Sequence, residues 1–126
     1  MKASGLTFDT GVLIALERKK QRAWHIYREA MLGKVPINVP TAVIAEWWRG
    51  RTKAREHVRS GLQVEMLHET LAHLAGEALA RVEDSTVVDA IVMASAASRG
   101  DVVYTSDWED LERLRVFFPS VRVFSI

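Results

Sequence analysis

No cysteine occurs among the 126 residues. That absence removes disulfides, thiolate zinc sites and thiol nucleophiles, and it suits a reducing compartment such as the cytoplasm. Nowhere do 18 apolar residues follow one another, and the N-terminal segment carries one lysine without a long apolar core. Neither a membrane span nor a signal peptide is therefore expected. The charge excess is only +1. A polyanionic partner has to be argued from where the cations lie. Familiar catalytic signatures are missing too: there is no GxSxG, P-loop or GxGxxG. The four histidines (His25, His57, His68, His73) show no HExxH or HxH spacing and read as surface or structural groups.

What is present is an ordinary globular composition, 48% apolar. One domain spanning 1–126 is expected, burying roughly two-thirds of its unfolded surface. The organising stretch is Leu6 to Leu16. Leu6-Thr7-Phe8 is a short strand, Asp9-Thr10-Gly11 a turn with one carboxylate, and Val12 to Leu16 the start of a helix. Open α/β sheets begin this way and bind ligands beyond the carboxyl ends of their strands.

The pattern then predicts a helix from Ala23 to Leu32, ended by Gly33 as its C′ residue. Val35 to Pro40 reads as a strand bracketed by prolines. Thr41 is the expected N-cap of a helix to Gly50, with a basic helical stretch continuing to Gly61. Gln63 to Leu67 is a third strand, and Glu69–Val82 and Thr86–Arg99 are helices. Val102–Thr105 is a buried strand, Asp107–Leu114 a short helix and Val121–Ser125 a last strand. Strands and helices alternate without hairpin signals, which predicts a three-layer α/β fold with a parallel sheet of about five strands flanked by helices. Two consecutive helices between Glu69 and Arg99 interrupt the alternation, so one of them should cross the sheet edge.

Four carboxylates fall at comparable places. Asp9 follows the first strand, Glu46 lies in the second turn of the helix after the second, and Asp107 follows Val102–Thr105. Asp89 stands near the start of the helix feeding that strand, at the rim where strands end. Taken singly, Asp9 is equally readable as a turn aspartate and Asp107 as an N-cap, with Ser106-x-x-Glu109 or Thr86-x-x-Asp89 as capping boxes. Asp89 and Glu46, however, sit among apolar neighbours, where a carboxylate needs a partner or protonates. Two carboxylates about 4 Å apart repel by about 4 kcal/mol at an effective dielectric near 20. All-oxygen ligands in a cleft suit a hard cation, Mg²⁺ or Mn²⁺, able to activate water for attack on phosphorus.

Leu6-Thr7-Phe8-Asp9-Thr10, Val39-Pro40-Thr41 through Glu46, Val88-Asp89-Ala90-Ile91 and Val103-Tyr104-Thr105-Ser106-Asp107, with Asp110 three further on, together resemble a PIN-domain ribonuclease, and within that family a VapC-type toxin. The resemblance runs along essentially the whole chain. It implies Asp9 and Asp89 as core metal ligands, Glu46 and Asp107 completing the acidic site, and Thr105 offering a hydroxyl. It also implies Mg²⁺ (with Mn²⁺ able to substitute), an RNA substrate of the tRNA or rRNA class, a homodimer, and a VapB-like antitoxin covering the site. Gly11 departs from the pattern, where the family often has Ser or Asn. Trp47 and Trp48 are bulkier than the usual residues, and Met93 replaces a common alanine.

Arg49, Arg51, Lys53, Arg55 and Arg59 crowd eleven residues. On a continuous helix Arg51, Arg55 and Arg59 would share a face, a modest like-charge cost that makes sense opposite phosphates. Arg49, Arg51 and Arg55 are therefore the expected nucleic-acid contacts, against the plainer reading of a solvated basic face. Arg18, Lys19, Lys20 and Arg22 read more simply as a helix end. Trp24, Tyr27, Trp47 and Trp48 read first as core, second as an exposed groove for a partner. A non-catalytic PIN-like scaffold is the main competing function. Receiver and haloacid-dehalogenase-like chemistries fit poorly, because Asp9 stands alone and position 11 is glycine.

Overall fold

Strand β1 (Leu6–Phe8) occupies the centre of a five-stranded, all-parallel sheet in the computed structural model, which describes residues 5–126. Helices α1 (Thr10–Glu17) and α2 (Gln21–Leu32) lead to β2 (Ile37–Pro40). Helices α3 (Thr41–Trp47) and α4 (Lys53–Ser60) then lead to β3 (Gln63–Glu65). Two helices, α5 (Glu69–Arg81) and α6 (Val87–Arg99), precede β4 (Val102–Thr105). Helix α7 (Trp108–Leu114) and β5 (Val123–Ser125) close the chain.

The strand order is β3-β2-β1-β4-β5. β2 and β3 step outward on one side of β1, and β4 and β5 on the other. The order reverses between β1 and β4, a topological switch point. The α5–α6 connection makes the reversal by passing over a face of the sheet, not around its edge as expected. Helix α6 lies against β1, β2 and β4, and α5 stacks on α6. Sandwiched in this way, α6 buries every residue from Ala90 to Ala96, which is why its sequence is apolar nearly all round.

Local boundaries follow from capping. The stretch expected as one helix from Ala42 to Gly61 is two. Helix α3 stops at Trp47, and Thr52 starts α4 by accepting the Arg55 N–H on its hydroxyl. Arg51 thus lies outside any helix, and the shared face of Arg51, Arg55 and Arg59 does not exist. Thr41 is the first residue of α3, with Pro40 as N-cap, and its hydroxyl accepts from Leu67 N–H instead. Gly33 keeps φ at −82°, and the left-handed residue is the following Lys34. Gly100, at φ 77°, does end α6 in the left-handed conformation.

A polar network lies beneath the C-terminal end of α6. Arg99 donates to Asp101 Oδ2 at 2.9 Å, to Thr7 Oγ1 at 3.0 Å and to Ser95 Oγ at 2.8 Å, and pairs with Glu65 at 2.9 Å. Thr7 and Asn38 also donate to Asp101 Oδ2. One guanidinium therefore joins α6 to β1 and to the end of β3, and satisfies an aspartate whose side chain is 2% exposed.

Candidate active site

Asp9 leaves β1 and is the N-cap of α1, with Oδ1 accepting the Val12 N–H at 3.1 Å. It is nonetheless buried, and its second oxygen accepts the Thr105 hydroxyl. Thr105 stands at the end of β4, and its oxygen accepts the Asp107 N–H at 2.8 Å. That incoming N–H directs the hydroxyl proton toward Asp9. Capping and site chemistry coincide in one residue. Burial holds the Asp9 carboxyl above the usual carboxylate range, while the Thr105 hydroxyl and the N–H groups of Val12, Ser106 and Gly11 pull the other way.

Asp89 sits in the first turn of α6, where its N–H is capped by Thr86 Oγ1 at 3.1 Å. Burial pushes its carboxyl up to about 6, against a hydrogen bond from Thr86 and helped by the charges of Asp9, Asp110 and Asp107. Those charges bring three sequence-predicted acids into one electrostatic neighbourhood, at the carboxyl ends of β1 and β4.

Asp107 occupies the N-cap position of α7 without a side-chain cap bond, so the Ser106-x-x-Glu109 capping box is not formed. Its carboxyl hydrogen-bonds Asp110, which raises it, and burial and the charges of Asp110 and Asp9 add to the rise. Asp110 is held low by the same hydrogen bond and by Arg113.

Glu46 differs from its expectation. It is exposed, because Val43 and Trp47 form the buried side of α3 and turn Glu46 outward. Its apolar sequence neighbours do not enclose it. Its Oε1 accepts the Thr10 hydroxyl at 2.6 Å, which ties it to the residue after Asp9.

The basic residues are not equivalent. Arg55 pairs with Glu17 through two nitrogens, at 3.0 and 3.2 Å, and donates to Gly50 O at 2.9 Å. Its charge is taken up inside the fold, against the expectation of a nucleic-acid contact. Arg51 is exposed and pairs with Glu56. Arg49 is exposed, with only its Nε engaged, on Glu46 O at 3.1 Å. Trp47 is buried and donates to Glu17 Oε1 at 3.1 Å, and Tyr27 is buried with its hydroxyl on Val58 O. Trp24 packs partly buried between Tyr27 and His57. The core reading of these aromatics holds, and Met93 is likewise fully buried.

The donor set, carboxylates with nearby hydroxyls, is chemically suited to a hard divalent cation. Among the described residues, no three acidic or histidine side chains already stand close enough together to hold one. A bound ion would have to draw the acids in against their mutual repulsion. Thr10, Thr86 and Asp110 also take part, although from the sequence Thr86 is expected only as a cap for Asp89, and Thr10 and Asp110 only within the motifs that carry the resemblance. Their only signal was position, next to or three residues from a named acid.

A parallel sheet whose strand order reverses beside grouped carboxylates defines an α/β domain with an acidic site at its switch point. The PIN domain profile matches residues 6–116, and the chain belongs to that family. No curated protein matches it. Among solved structures it is similar to a chain of DNA-bound VapBC from Salmonella typhimurium, at 20% identity and a TM-score of 0.72, over 98% of both chains. It is also similar to a chain of VapBC2 from Rickettsia felis bound to promoter DNA, at 15% identity and a TM-score of 0.72, over 96% of this chain and 98% of that one. Mycobacterium tuberculosis VapC20, described as a sarcin-ricin loop cleaving toxin, is similar at 19% identity and a TM-score of 0.60, over 81% and 88%.

Proposed function

We propose that this chain is a Mg²⁺- or Mn²⁺-dependent endoribonuclease of the VapC type, the toxin of a toxin–antitoxin pair. The observation that carries the reading is the placing of Asp9. It is buried at the switch point, oriented by the Thr105 hydroxyl, and within reach of the charges of Asp89 and Asp107. Family membership supports nuclease chemistry. The likeness to VapBC chains supports the toxin assignment and a VapB-like antitoxin partner; a homodimer belongs to the same proposal.

Asp9, Asp89, Glu46 and Asp107 would hold the cation. Bound there, it would supply charge neutralisation at a phosphoryl oxygen and a more acidic water. Thr105 keeps the Asp9 carboxylate in one orientation, and Thr10 does the same for Glu46. Burial of Asp9 and part-burial of Asp89 reduce screening by bulk water at these two carboxylates. The substrate is RNA of the tRNA or rRNA class. No helix among the described residues is long and apolar enough to cross a membrane, and a cytoplasmic location fits the absence of cysteine.

Titration of Mn²⁺ into the metal-free protein, followed by calorimetry, separates this reading from a non-catalytic scaffold. Saturable binding that weakens at least tenfold in Asp9→Asn supports the nuclease. Absence of binding at millimolar Mn²⁺ in a folded wild type favours the scaffold.

A further inference from the structure

A cavity of about 190 Å³ opens beside Glu46, lined by Ile14, Glu17, Arg18, Trp47, Arg49 and Arg55 as well as Glu46 itself. Its charged groups do not contribute equally. Glu17 and Arg55 neutralise one another, and Glu17 also accepts the Trp47 indole N–H. Side-chain exposures of 16% for Arg55 and 25% for Glu17 mark this pair as built into the wall. Glu46 is held by Thr10. Arg49 uses only Nε on a backbone carbonyl, which leaves both terminal nitrogens free. Arg18 is exposed, and among the described residues its guanidinium makes no hydrogen bond or ion pair. Two guanidiniums with spare donors thus share one small cavity that ends at a carboxylate of the acidic site.

We infer that this cavity is a phosphate subsite for RNA, in which Arg18 and Arg49 grip a backbone phosphate next to the scissile bond. Guanidiniums present planar forks that match phosphate oxygens, and sequence-independent gripping is what such contacts provide. The cavity is too small for a folded partner and has room for a phosphate with part of its sugar. Arg18 comes from the C-terminal end of α1 and Arg49 from the break after α3, so the two approach from different elements. The Glu17–Arg55–Trp47 cluster holds those elements in register and makes no phosphate contact of its own. The assignment keeps Arg49 from the expected contacts Arg49, Arg51 and Arg55 and puts Arg18 in place of the other two, a pair 31 positions apart in the chain. It rests on the ribonuclease reading of the adjacent acids.

Fluorescence anisotropy of a labelled single-stranded 12-nucleotide RNA tests it, using the full chain in EDTA over a range of salt concentrations. Arg18→Ala and Arg49→Ala should each weaken binding several-fold and reduce the slope of log K against log salt by about 0.7, the loss of one phosphate contact. Arg55→Ala should lower the melting temperature and leave that slope unchanged, and Arg28→Ala, on α2 outside the cavity, should change neither. Unchanged slopes in both Arg18→Ala and Arg49→Ala, or no RNA binding by the wild type, overturn the inference. Metal-dependent cleavage, measured separately, keeps the two readings apart. Cleavage with unchanged slopes removes the subsite and keeps the nuclease, whereas altered slopes without cleavage do the reverse.

Discussion

The hydroxyl of Ser106 fills the space that a side chain on Gly11 would need. A Cβ built on Gly11 would stand 1.7 Å from Ser106 Oγ and 2.8 Å from Ser106 Cβ. The helix start after β1 and the loop after β4 therefore approach as closely as they do because position 11 is glycine. A family member with Ser or Asn at this position must separate these segments or carry a different residue opposite. In this chain Ser106 places a hydroxyl near the one that residue 11 would have supplied, beside Asp9.

Gly11→Ser is predicted to cost about 1–3 kcal/mol, the usual range for overpacking a close contact. Adding Ser106→Gly should recover much of that loss. Thermal melts of the two single variants and the double variant check the coupling, and additive effects would mean the two positions are independent.

In the metal-free protein the raised carboxyl of Asp89 contributes a pH dependence. Its folded carboxyl titrates at about 6, above the ordinary 3.8. As pH rises between those values the unfolded chain gives up its proton while the folded chain keeps it, so stability falls with pH across this window and levels off above it. Asp89→Asn should flatten that decline and stabilise the metal-free protein at pH 8 by about 1 kcal/mol, a figure reduced for the residue's partial exposure. Urea denaturation at pH 4.5 and pH 8 reads both effects.

Thr105→Val keeps the shape of the side chain and removes the proton donated to Asp9. A hydroxyl supporting a metal-ligating carboxylate is worth roughly 10- to 100-fold in metal affinity or activity. The variant should fold and lose about that much Mn²⁺ affinity in calorimetry, and an unchanged affinity would relieve Thr105 of any role in the site.

Arg99 is the hub of the polar network under α6. Arg99→Ala leaves the almost fully buried Asp101 without its cation and should cost about 3 kcal/mol, measured as a shift in the urea midpoint. A loss below 0.5 kcal/mol would mean that water replaces the guanidinium.

Much of this architecture was readable from residue order alone. The stretches Leu6–Phe8, Val35–Pro40 and Val102–Thr105 announced strands, and Gly100 announced the end of α6. The parallel sheet and the approach of Asp9, Asp89 and Asp107 to one rim follow from that alternation. Glu46 was misjudged because neighbours in sequence are not neighbours in space on a helix: Val43 and Trp47 take the inward side. Arg55 was misjudged because its partner, Glu17, lies 38 positions away. The Arg99 network was invisible for the same reason. Thr7, Asn38 and Ser95 are polar residues on otherwise apolar elements, a hint at a buried partner but not at its identity. The break at Trp48–Thr52 contains a stop signal, Gly50 at φ 111°, but the basic residues on either side of it read as a continuing helix, and Thr52 alone marked the new start.

The most direct measurement is cleavage of total RNA and tRNA in Mg²⁺ or Mn²⁺ by folded wild-type protein free of any co-purified partner, beside Asp89→Asn. The prediction is metal-dependent cutting by the wild type that is abolished by chelation and falls by at least a hundredfold in Asp89→Asn. Equal cutting by both proteins, or cutting that survives chelation, would contradict a metal-dependent site built on these carboxylates.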